Sequence, residues 1–531
     1  MNPIQRLSSD LSESLESIPI SEIFSKIKSM PPYSKDLTPF QENFIYNHLD
    51  QCLQDQEMYP MLFRTINWND KDESTNIASQ LATCEPVDTE YALEFLTKRY
   101  ERKPIRDLAI RSLLNSSITE LQLYIPQLVQ AIKSDLSIDL SELLLNKSRE
   151  DVIFATKLFW IVRIERNTNS TLHSLYQSLK ELYHSEFKKQ EKLIEDINEL
   201  MVKSINTNNS TPETIRRKVI ELLNSDQFKS LRELDNVRLP LNPKLIAVGI
   251  DPNSIKVFQS SRKPIRITFL LNDNTTYRVI FKLGDDMRQD QLIIQLFEVM
   301  DNILYKSAMS MPITAYNTLA FSTSYGCCEC IENSMAIQDI KDGKSKFHSI
   351  REFLEEDGND IDKKIEIFKK SCSVYCVMTY IVMVGDRHDN NILVANDGRL
   401  IHIDFGFIFG EDPKPFAPPL KLSDEMINTI GDDGFEQICN WAEPAFKSLR
   451  EHARLILTLI ELMNTCEPPL ECFEKNNPMN ILRKVEKSFL FDCNANEASQ
   501  ILKRKLRDSK NSTTMKVIDA FHTYAINKAA A

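Results

Sequence analysis

Apolar residues recur at helical spacing through most of the first half of the chain. After Ser117 the apolar positions fall on one helical face: Leu121, Tyr124, Ile125, Leu128, Val129 and Ile132. Ser117 and Glu120 form a capping-box pattern, and Pro126 should either kink this helix or move its start. Successive patterns of this kind predict an α-solenoid over residues 21–224, preceded by a flexible polar leader, residues 1–20.

The pattern changes around residue 234. Two short β-type runs, residues 265–271 and 277–282, flank the turn residues 272–274 and predict a hairpin. A helix follows, and its apolar face carries Leu292, Leu296, Val299 and Ile303. These elements open a mixed α+β domain over residues 234–531.

Glycine is rare and confined to the middle of the chain. The 531 residues include only 11 glycines, all between Gly249 and Gly434, where average usage of about 7% would give more than thirty. Glycine allows tight turns and close approach of the backbone to a ligand. We therefore expect the binding site in this middle segment.

Composition narrows the class of protein. Lys+Arg 64 against Asp+Glu 76 gives a net charge of −12, which disfavours nucleic acid and leaves only local basic patches for membrane contact. The longest apolar run, residues 374–384, is far shorter than the ~20 residues of a spanning helix. Eleven scattered cysteines without a secretion signal predict reduced thiols in a cytoplasmic protein. The spacing of Cys327 and Cys330 has no good second pair, so buried packing is favoured over a zinc site.

The strongest chemical signal is residues 385–391, followed by Asp-Phe-Gly at residues 404–406. The linker between them indicates a hairpin with Asp-Gly at its tip. A two-residue turn there predicts that Asn391 lies directly opposite Asp404, with Cβ atoms about 5 Å apart. An amide and a carboxylate so placed suit Mg²⁺, a hard ion that takes oxygen ligands from few protein groups and from phosphate.

Asp386, Arg387 and His388 lie just before Asn391. They are close enough to orient or deprotonate a hydroxyl, as in a kinase catalytic loop with the usual His-Arg-Asp order reversed. A purely structural alternative is a tight hairpin with an aspartate cap and a core histidine. The complete set favours the catalytic interpretation.

Lys282 ends the second β run and precedes residues 284–290. A strand-borne lysine can neutralise nucleotide phosphates when an acid on the next helix holds it. The alternative is an exposed lysine with Asp286 as a helix cap; beside the catalytic loop, the functional interpretation is favoured. The glycine-rich loop of protein kinases is absent, and residues 258–264 offer hydroxyl and backbone N–H groups in its place.

Together, residues 284–290, the Asp-Arg-His-x-x-Asn loop and the Asp-Phe-Gly motif resemble phosphatidylinositol 3-kinases and their relatives. Residues 404–422 are most similar to class III, the vacuolar-sorting type. Residues 104–114 and 123–133 resemble that family's helical (PIK) domain, and residues 517–528 its final helix. The resemblance implies an α-solenoid PIK domain followed by a bilobal kinase domain, with an N-lobe over about 234–330 and a C-lobe over about 331–531.

The resemblance also implies roles for individual residues. Lys282 and Ser260 would contact ATP phosphate, with Asp290 as the supporting acid. The other implied ATP-site residues are Asp285, Tyr316 of the affinity pocket, and Glu329 and Ile331 of the hinge. The implied ligands of Mg²⁺ or Mn²⁺ are Asn391 and Asp404. His388 is the first candidate for the general base and Asp386 the second, with Arg387 and Lys282 supporting catalysis.

The activation segment carries little charge. Between residues 407 and 422 the cations are Lys414 and Lys421, balanced by Glu411 and Asp412. A head group with extra phosphates would require several basic residues, so this segment predicts plain phosphatidylinositol as the substrate. Stiffening of a surface loop by its prolines is the alternative reading.

Three features depart from the family pattern. Asn390 stands where the family usually has Asp, with Asp389 one place earlier, and Glu411 stands where a basic residue is usual. The N-terminal C2 module is not expected in the roughly 20 residues before the helical region.

The implied function is transfer of the ATP γ-phosphate to the 3-hydroxyl of phosphatidylinositol on endosomal, vacuolar or autophagosomal membranes. The implied partners are a regulatory protein kinase subunit and a Beclin-type subunit. The alternatives are a related 4-kinase or protein kinase, and a catalytically silent scaffold of a trafficking complex.

Overall fold

The computed structural model describes residues 19–34, 36–134, 139–205, 211–343, 346–413, 420 and 422–510. They divide into two compact units, one up to Asn115 together with Leu490–Asn494 and the other containing the remainder. Most of the predicted leader, Lys414, Lys421 and the predicted final helix lie outside the described residues.

The first unit is built from helices. They are α1 (Ile20–Lys28), α2 (Pro39–Asn47), α3 (Leu49–Leu53), α4 (Tyr59–Thr65), α5 (Lys71–Thr83), α6 (Thr89–Glu94) and α7 (Lys103–Leu114). Asp70 caps α5 by accepting hydrogen bonds from two first-turn N–H groups at 3.0 and 3.1 Å. Phe63, Phe95 and Tyr100 pack edge-to-face in the core, with centroids 5.1 and 5.3 Å apart.

The second unit also begins with helices. They are α8 (Ile118–Gln122), α9 (Ile125–Ile132), α10 (Asp139–Glu150), α11 (Val152–Glu165), α12 (Ser170–Leu182), α13 (His184–Ile205), α14 (Pro212–Asn224) and α15 (Lys229–Arg232). The apolar face predicted after Ser117 is divided between α8 and α9, because Pro126 occupies the first turn of α9. Trp160 of α11 packs edge-on against Phe321 of the following sheet at 5.1 Å, so the helices and the sheet share a core.

An antiparallel sheet follows. Its strands are β1 (Val237–Arg238), β2 (Ile246–Ile250), β3 (Lys256–Val257), β4 (Ile265–Leu271), β5 (Thr276–Leu283), β6 (Thr318–Ser322) and β7 (Tyr325–Glu329). The order is β1-β2-β4-β5-β7-β6, with β3 beside β4. The predicted hairpin is confirmed as β4 and β5. The predicted helix is α16 (Arg288–Lys306), whose four predicted face residues are all buried.

The rest of the second unit contains a smaller sheet among helices. The sheet has the order β10-β9-β8, formed by β8 (Ser334–Ala336), β9 (Ile392–Ala395) and β10 (Leu400–His402). The helices are α17 (Ile337–Lys341), α18 (Ile350–Glu355), α19 (Ile361–Ile381), α20 (Asp424–Glu451), α21 (Ala453–Met463), α22 (Glu471–Lys475), α23 (Pro478–Ser488) and α24 (Ala495–Lys510).

The predicted fold class is confirmed: a helical region precedes a kinase-like α+β region. Helices give way to strands between Arg232 and Val237, whereas the compact units separate after Asn115. The difference arises because α9 and α11 pack on the catalytic region. Gln127, for example, donates to Gln295 of α16 at 3.0 Å. Within the described ranges, the helices are too short or too polar to cross a bilayer.

Candidate active site

Lys282 lies near the end of β5, where it pairs with Gly326 of β7. Burial of the ammonium group favours its neutral form, but the nearby carboxylates of Asp290 and Asp404 outweigh this effect. The pKa of Lys282 therefore lies above its usual range. The strand lysine is cationic and is electrostatically coupled to three of the predicted site acids, Asp285, Asp290 and Asp404.

Asp290 stands in the first turn of α16, is partly buried and is close enough to Lys282 for their charges to interact. Its Oδ1 accepts a hydrogen bond from the Phe405 N–H at 3.3 Å. Burial raises the pKa of Asp290, and the charge of Lys282 opposes that rise. Asp290 thus links the strand lysine to the Asp-Phe-Gly motif.

Ser260 lies in the exposed turn between β3 and β4. Its N–H donates to the Phe258 carbonyl at 3.1 Å, and the Phe258 N–H donates to Pro264 across the loop at 3.0 Å. Arg262 of this loop pairs with Asp285, with Nε and Oδ1 3.2 Å apart. Ser260 thus lies in a closed loop, and Asp285 ties that loop to the turn after Lys282.

The hairpin that joins the catalytic loop to Asp404 differs from the prediction by one residue. Ile392 pairs with His402 in the ladder between β9 and β10. The Ile403 N–H donates to the Asn391 carbonyl at 3.0 Å. Asn391 therefore lies opposite Ile403, and the prediction that it faces Asp404 directly is wrong.

The shift in register arises at the hairpin tip, which holds three residues rather than two. The Ala395 N–H donates to the Arg399 carbonyl at 2.9 Å, which closes the loop outside residues 396–398. Gly398 is the third loop residue and has φ +97°. A turn followed by one left-handed glycine is a common three-residue hairpin. The Asp-Gly pair occupies the second and third loop positions.

Arg387 binds the backbone around the Asp-Phe-Gly motif. Its Nε donates to the Gly385 carbonyl and one terminal nitrogen to the Ile403 carbonyl, both at 2.8 Å. The other terminal nitrogen donates to the Asp404 carbonyl. The guanidinium also lies 5.5 Å from the centre of the Phe405 ring. Through these contacts Arg387 acts as a positioning residue that joins the catalytic loop to the Asp-Phe-Gly motif.

The residues of the catalytic loop contact one another through both backbone and side-chain atoms. Asn391 Nδ2 donates to the Asp386 carbonyl at 3.1 Å, which leaves the amide Oδ1 as an acceptor. His388 Nε2 lies 3.6 Å from Asp386 Oδ2. The imidazole and the carboxylate therefore lie next to each other in the loop that precedes Asn391.

Several non-glycine residues of this region have left-handed backbone. Positive φ angles occur at Met383 (+47°), Asp386 (+49°), Asp404 (+61°) and Phe409 (+55°). Each such conformation costs on the order of 1–3 kcal/mol and persists where the surroundings fix it. Two of these residues, Met383 and Asp386, lie in or next to the catalytic loop, and the other two lie in or just after the Asp-Phe-Gly motif. Both of the contacting segments are therefore strained.

The residues present fit a divalent metal bound together with a phosphate ligand. In the described part of the chain, no cluster of three or more His, Cys, Asp or Glu side chains could hold a metal ion. Asn391 offers an amide oxygen and Asp404 a carboxylate, and Mg²⁺ typically takes one or two protein carboxylates and completes its shell with water and substrate phosphate. Asn391 and Asp404 would hold the ion.

The predicted adenine-site residues lie just before β6 and at the end of β7. Tyr316 is buried, and burial raises its pKa well above the usual value. Glu329 ends β7, and its carboxylate accepts from the Asn317 side-chain amide at 2.8 Å. The Ile331 carbonyl accepts from the Ser334 hydroxyl at 2.8 Å. Ile331 therefore lies in the short connection between β7 and β8, directly after the strand that Glu329 ends.

The hinge thiols are packing residues, as predicted. Cys327 and Cys328 are buried free cysteines, and Cys330 is partly buried. Burial raises the pKa of Cys328 to about 11, so the thiol stays protonated.

Asp389, the acid displaced by one position from the family pattern, has a structural partner. Asp389 is 4% exposed, and its Oδ2 accepts a hydrogen bond from Lys341 Nζ of α17 at 2.7 Å. Its carbonyl also accepts from the Gln338 N–H at 3.1 Å. Asp389 therefore anchors the catalytic loop to α17.

Two family models match the chain. Residues 276–470 match the model described as phosphatidylinositol 3- and 4-kinase. Residues 13–196 match the accessory (PIK) domain of the phosphoinositide 3-kinase family. The first match contains every site residue discussed above except those of the 258–264 loop.

Three similar proteins are each named phosphatidylinositol 3-kinase, and each matches most of this chain. "Phosphatidylinositol 3-kinase pik3" of Schizosaccharomyces pombe is 29% identical over 95% of the chain and 66% of its own length. The nodule isoform of phosphatidylinositol 3-kinase of Glycine max is 28% identical over 94% of the chain and 64% of its own length. "Phosphatidylinositol 3-kinase VPS34" of Saccharomyces cerevisiae is 28% identical, with coverages of 95% and 65%. The chain thus spans 64–66% of the length of these relatives.

The chain contains a phosphatidylinositol 3- and 4-kinase catalytic domain and the accessory (PIK) domain of the phosphoinositide 3-kinase family. The resemblance inferred from the motifs is therefore confirmed. The kinase region brings Lys282, Asp290, Arg387, Asn391 and Asp404 into one connected set of contacts and charges. The remaining role assignments stay predictions.

Two residues of this kinase site were missed by sequence reasoning. Gln289 contacts the Asp-Phe-Gly backbone, and Asp412 Oδ2 accepts from the Asp386 N–H at 2.9 Å. A signal for Gln289 was present, since it lies three positions before Leu292 on the apolar face of the predicted helix. Asp412 carried no such signal.

Proposed function

We propose that this chain is a phosphatidylinositol 3-kinase that converts phosphatidylinositol to phosphatidylinositol 3-phosphate with ATP. The observation that carries the proposal is the electrostatic coupling of Lys282 to Asp404 within the matched kinase segment, with Asn391 opposite Ile403, the residue before Asp404. The names of the similar proteins support the 3-position.

In this mechanism the chain acts mainly by positioning and by charge. The oxygen of the inositol 3-hydroxyl bonds to the γ-phosphorus of ATP, and the bond to the bridging oxygen of ADP breaks. Lys282, cationic at physiological pH, binds phosphate oxygens and stabilises the charge on the transferred group. A bound Mg²⁺ or Mn²⁺ would supply further stabilisation of that charge. Asn391 and Asp404 would hold the ion.

His388 is proposed to take the proton of the hydroxyl. Asp386, 3.6 Å from its Nε2, orients the imidazole and stabilises the imidazolium after transfer. This pairing combines the two candidates for the base into one base and one supporting carboxylate.

The lipid is proposed to be phosphatidylinositol itself. The segment between residues 407 and 422 balances two lysines with two acids, so it lacks the excess cations that a phosphorylated head group needs. The proposed setting is the surface of endosomal, vacuolar or autophagosomal membranes. The proposed partners are a regulatory protein kinase subunit and a Beclin-type subunit.

The test is product analysis with purified protein, radiolabelled ATP and vesicles that contain one inositol lipid at a time. The lipids are phosphatidylinositol, its 4-phosphate and its 4,5-bisphosphate. We expect label only in the 3-phosphate of phosphatidylinositol. Three results would reject the proposal. They are label at the 4-position of the lipid, label on a protein substrate but on no lipid, and stronger labelling of the 4,5-bisphosphate than of phosphatidylinositol.

A further inference from the structure

Four consecutive carbonyls around Asp404, those of residues 403–406, each accept a hydrogen bond from a side chain. Arg387 donates to the first two, at 2.8 Å for the first. Gln289 Nε2 donates to the third at 2.8 Å and to the fourth at 3.2 Å. Gln289 therefore holds the backbone that follows Asp404, and Arg387 holds the backbone of Asp404 and of the residue before it.

Gln289 is itself fixed by a third bond. Its side-chain Oε1 accepts from the Cys472 N–H at 3.1 Å, and the residue is 5% exposed. Only a primary amide offers donors to two carbonyls and an acceptor to an N–H group at the same place. A buried side chain whose donors and acceptor are all satisfied has one stable orientation.

The same helix holds Phe405 in two further ways. Asp290, the next residue of α16, accepts from the Phe405 N–H at 3.3 Å. The Phe405 ring is fully buried and packs edge-to-face on Phe297 of α16, with centroids 5.6 Å apart. One rigid element therefore carries both the acid beside Lys282 and the amide that binds the metal motif.

We infer that Gln289 is a positioning residue for phosphoryl transfer, whose amide donors hold the backbone after Asp404 and thereby aim its carboxylate at the metal. Asp404 has φ +61°, a strained conformation that requires fixed neighbours on both sides. The inference rests on the metal-nucleotide site of the proposed function and not on the identity of the lipid. The metal-nucleotide site itself can be assayed without lipid.

The test uses Gln289→Glu, Gln289→Met and the matched control Gln295→Glu. Gln295 is a buried glutamine of the same helix that donates to the Leu123 carbonyl and to the Gln127 side chain, away from the metal motif. Gln289→Glu keeps an acceptor for Cys472 but loses the donors to both carbonyls. Gln289→Met loses all three bonds.

The readout is the affinity for Mn²⁺ in the presence of the non-hydrolysable analogue AMP-PNP. Free Mn²⁺ is measured by electron paramagnetic resonance. The temperature is one at which circular dichroism shows that each variant is folded. Removing a residue that orients a metal ligand typically costs 10–100-fold in metal affinity, so we expect Gln289→Glu and Gln289→Met to weaken Mn²⁺ binding by about that factor. Gln295→Glu should bind as the wild type does.

Wild-type Mn²⁺ affinity in Gln289→Glu would overturn the inference. It would show that the two hydrogen bonds to the carbonyls of residues 405 and 406 do not contribute to metal binding. An equal loss in Gln295→Glu would also overturn it, since any buried change in α16 would have the same effect. If Gln289→Glu does not fold, Gln289→Met decides. A wild-type protein that binds Mn²⁺ with AMP-PNP but phosphorylates no inositol lipid would reject the proposed function and leave this inference standing.

Discussion

Replacing Gly385 by alanine should separate the catalytic loop from the activation segment. A Cβ atom built on Gly385 would lie 2.1 Å from the Glu411 carbonyl oxygen and 3.1 Å from the Asp412 Cα. Both are backbone atoms, so no side chain can rotate away. The same junction includes the bond from the Gly385 N–H to the Phe407 carbonyl at 2.8 Å.

The size of the effect follows from the required displacement. An ordinary contact for a Cβ begins near 3.4 Å, so the two segments must separate by more than an ångström. Misplacing reacting groups by about 1 Å costs on the order of 10²-fold in rate. We therefore expect kcat of Gly385→Ala to fall by about that factor or more.

The assay is ATP-dependent phosphorylation of phosphatidylinositol vesicles, with thermal unfolding measured in parallel. Gly249→Ala is the matched control, because its Cβ would meet the Arg232 carbonyl oxygen at 2.3 Å, an equally severe clash far along the chain from the catalytic loop. We expect both variants to lose stability and only Gly385→Ala to lose most of its rate while folded. A folded Gly385→Ala enzyme with wild-type kcat would refute this reasoning.

Three further outcomes are expected. Arg387→Lys should lower kcat about 10–100-fold in the vesicle assay, because one ammonium cannot replace a planar guanidinium bound to three carbonyls, and an unchanged rate would contradict that role. Lys341→Met should lower the urea midpoint by an amount equivalent to about 1–3 kcal/mol, since Asp389 loses its ion-pair partner; an unchanged midpoint would count against this anchor. The rate should show no decline between pH 7 and 9 from Lys282, because its raised pKa keeps the ammonium protonated as the pH rises; a declining limb that Lys282→Arg removes would contradict this.

The elements with a strong local pattern could be predicted from the sequence. In the hairpin of β4 and β5 the apolar residues at every second position are buried, among them Ile265, Ile267, Phe269 and Leu271 of β4 and Val279 and Phe281 of β5, and Asn274 of the turn has φ +65°. The apolar face of α16 repeats every three to four residues. In both cases the spacing of apolar residues within the element determines which positions are buried. Each element could therefore be predicted without knowledge of long-range contacts.

The hairpin register could not be predicted in the same way. Asp-Gly is compatible with a two-residue loop and with the end of a three-residue loop. The choice depends on contacts outside the hairpin, such as the Asn396 N–H bond to the Asn333 carbonyl at 2.8 Å. A Cβ at Gly398 would also meet the Lys364 carbonyl of α19 at 2.2 Å. These partners are distant in sequence, so the pattern alone misplaced Asn391 by one residue.

The most direct test of the central claim compares the wild type with Asp404→Asn in a single-turnover transfer from labelled ATP to phosphatidylinositol. Asp397→Asn is the control, because it removes a carboxylate from the tip of the same hairpin, where it pairs with Arg399 at 2.7 Å. We expect transfer to the 3-hydroxyl by the wild type and by Asp397→Asn, and none above background by Asp404→Asn. Transfer at the wild-type rate by folded Asp404→Asn would contradict the assignment of the metal site and, with it, the proposed mechanism.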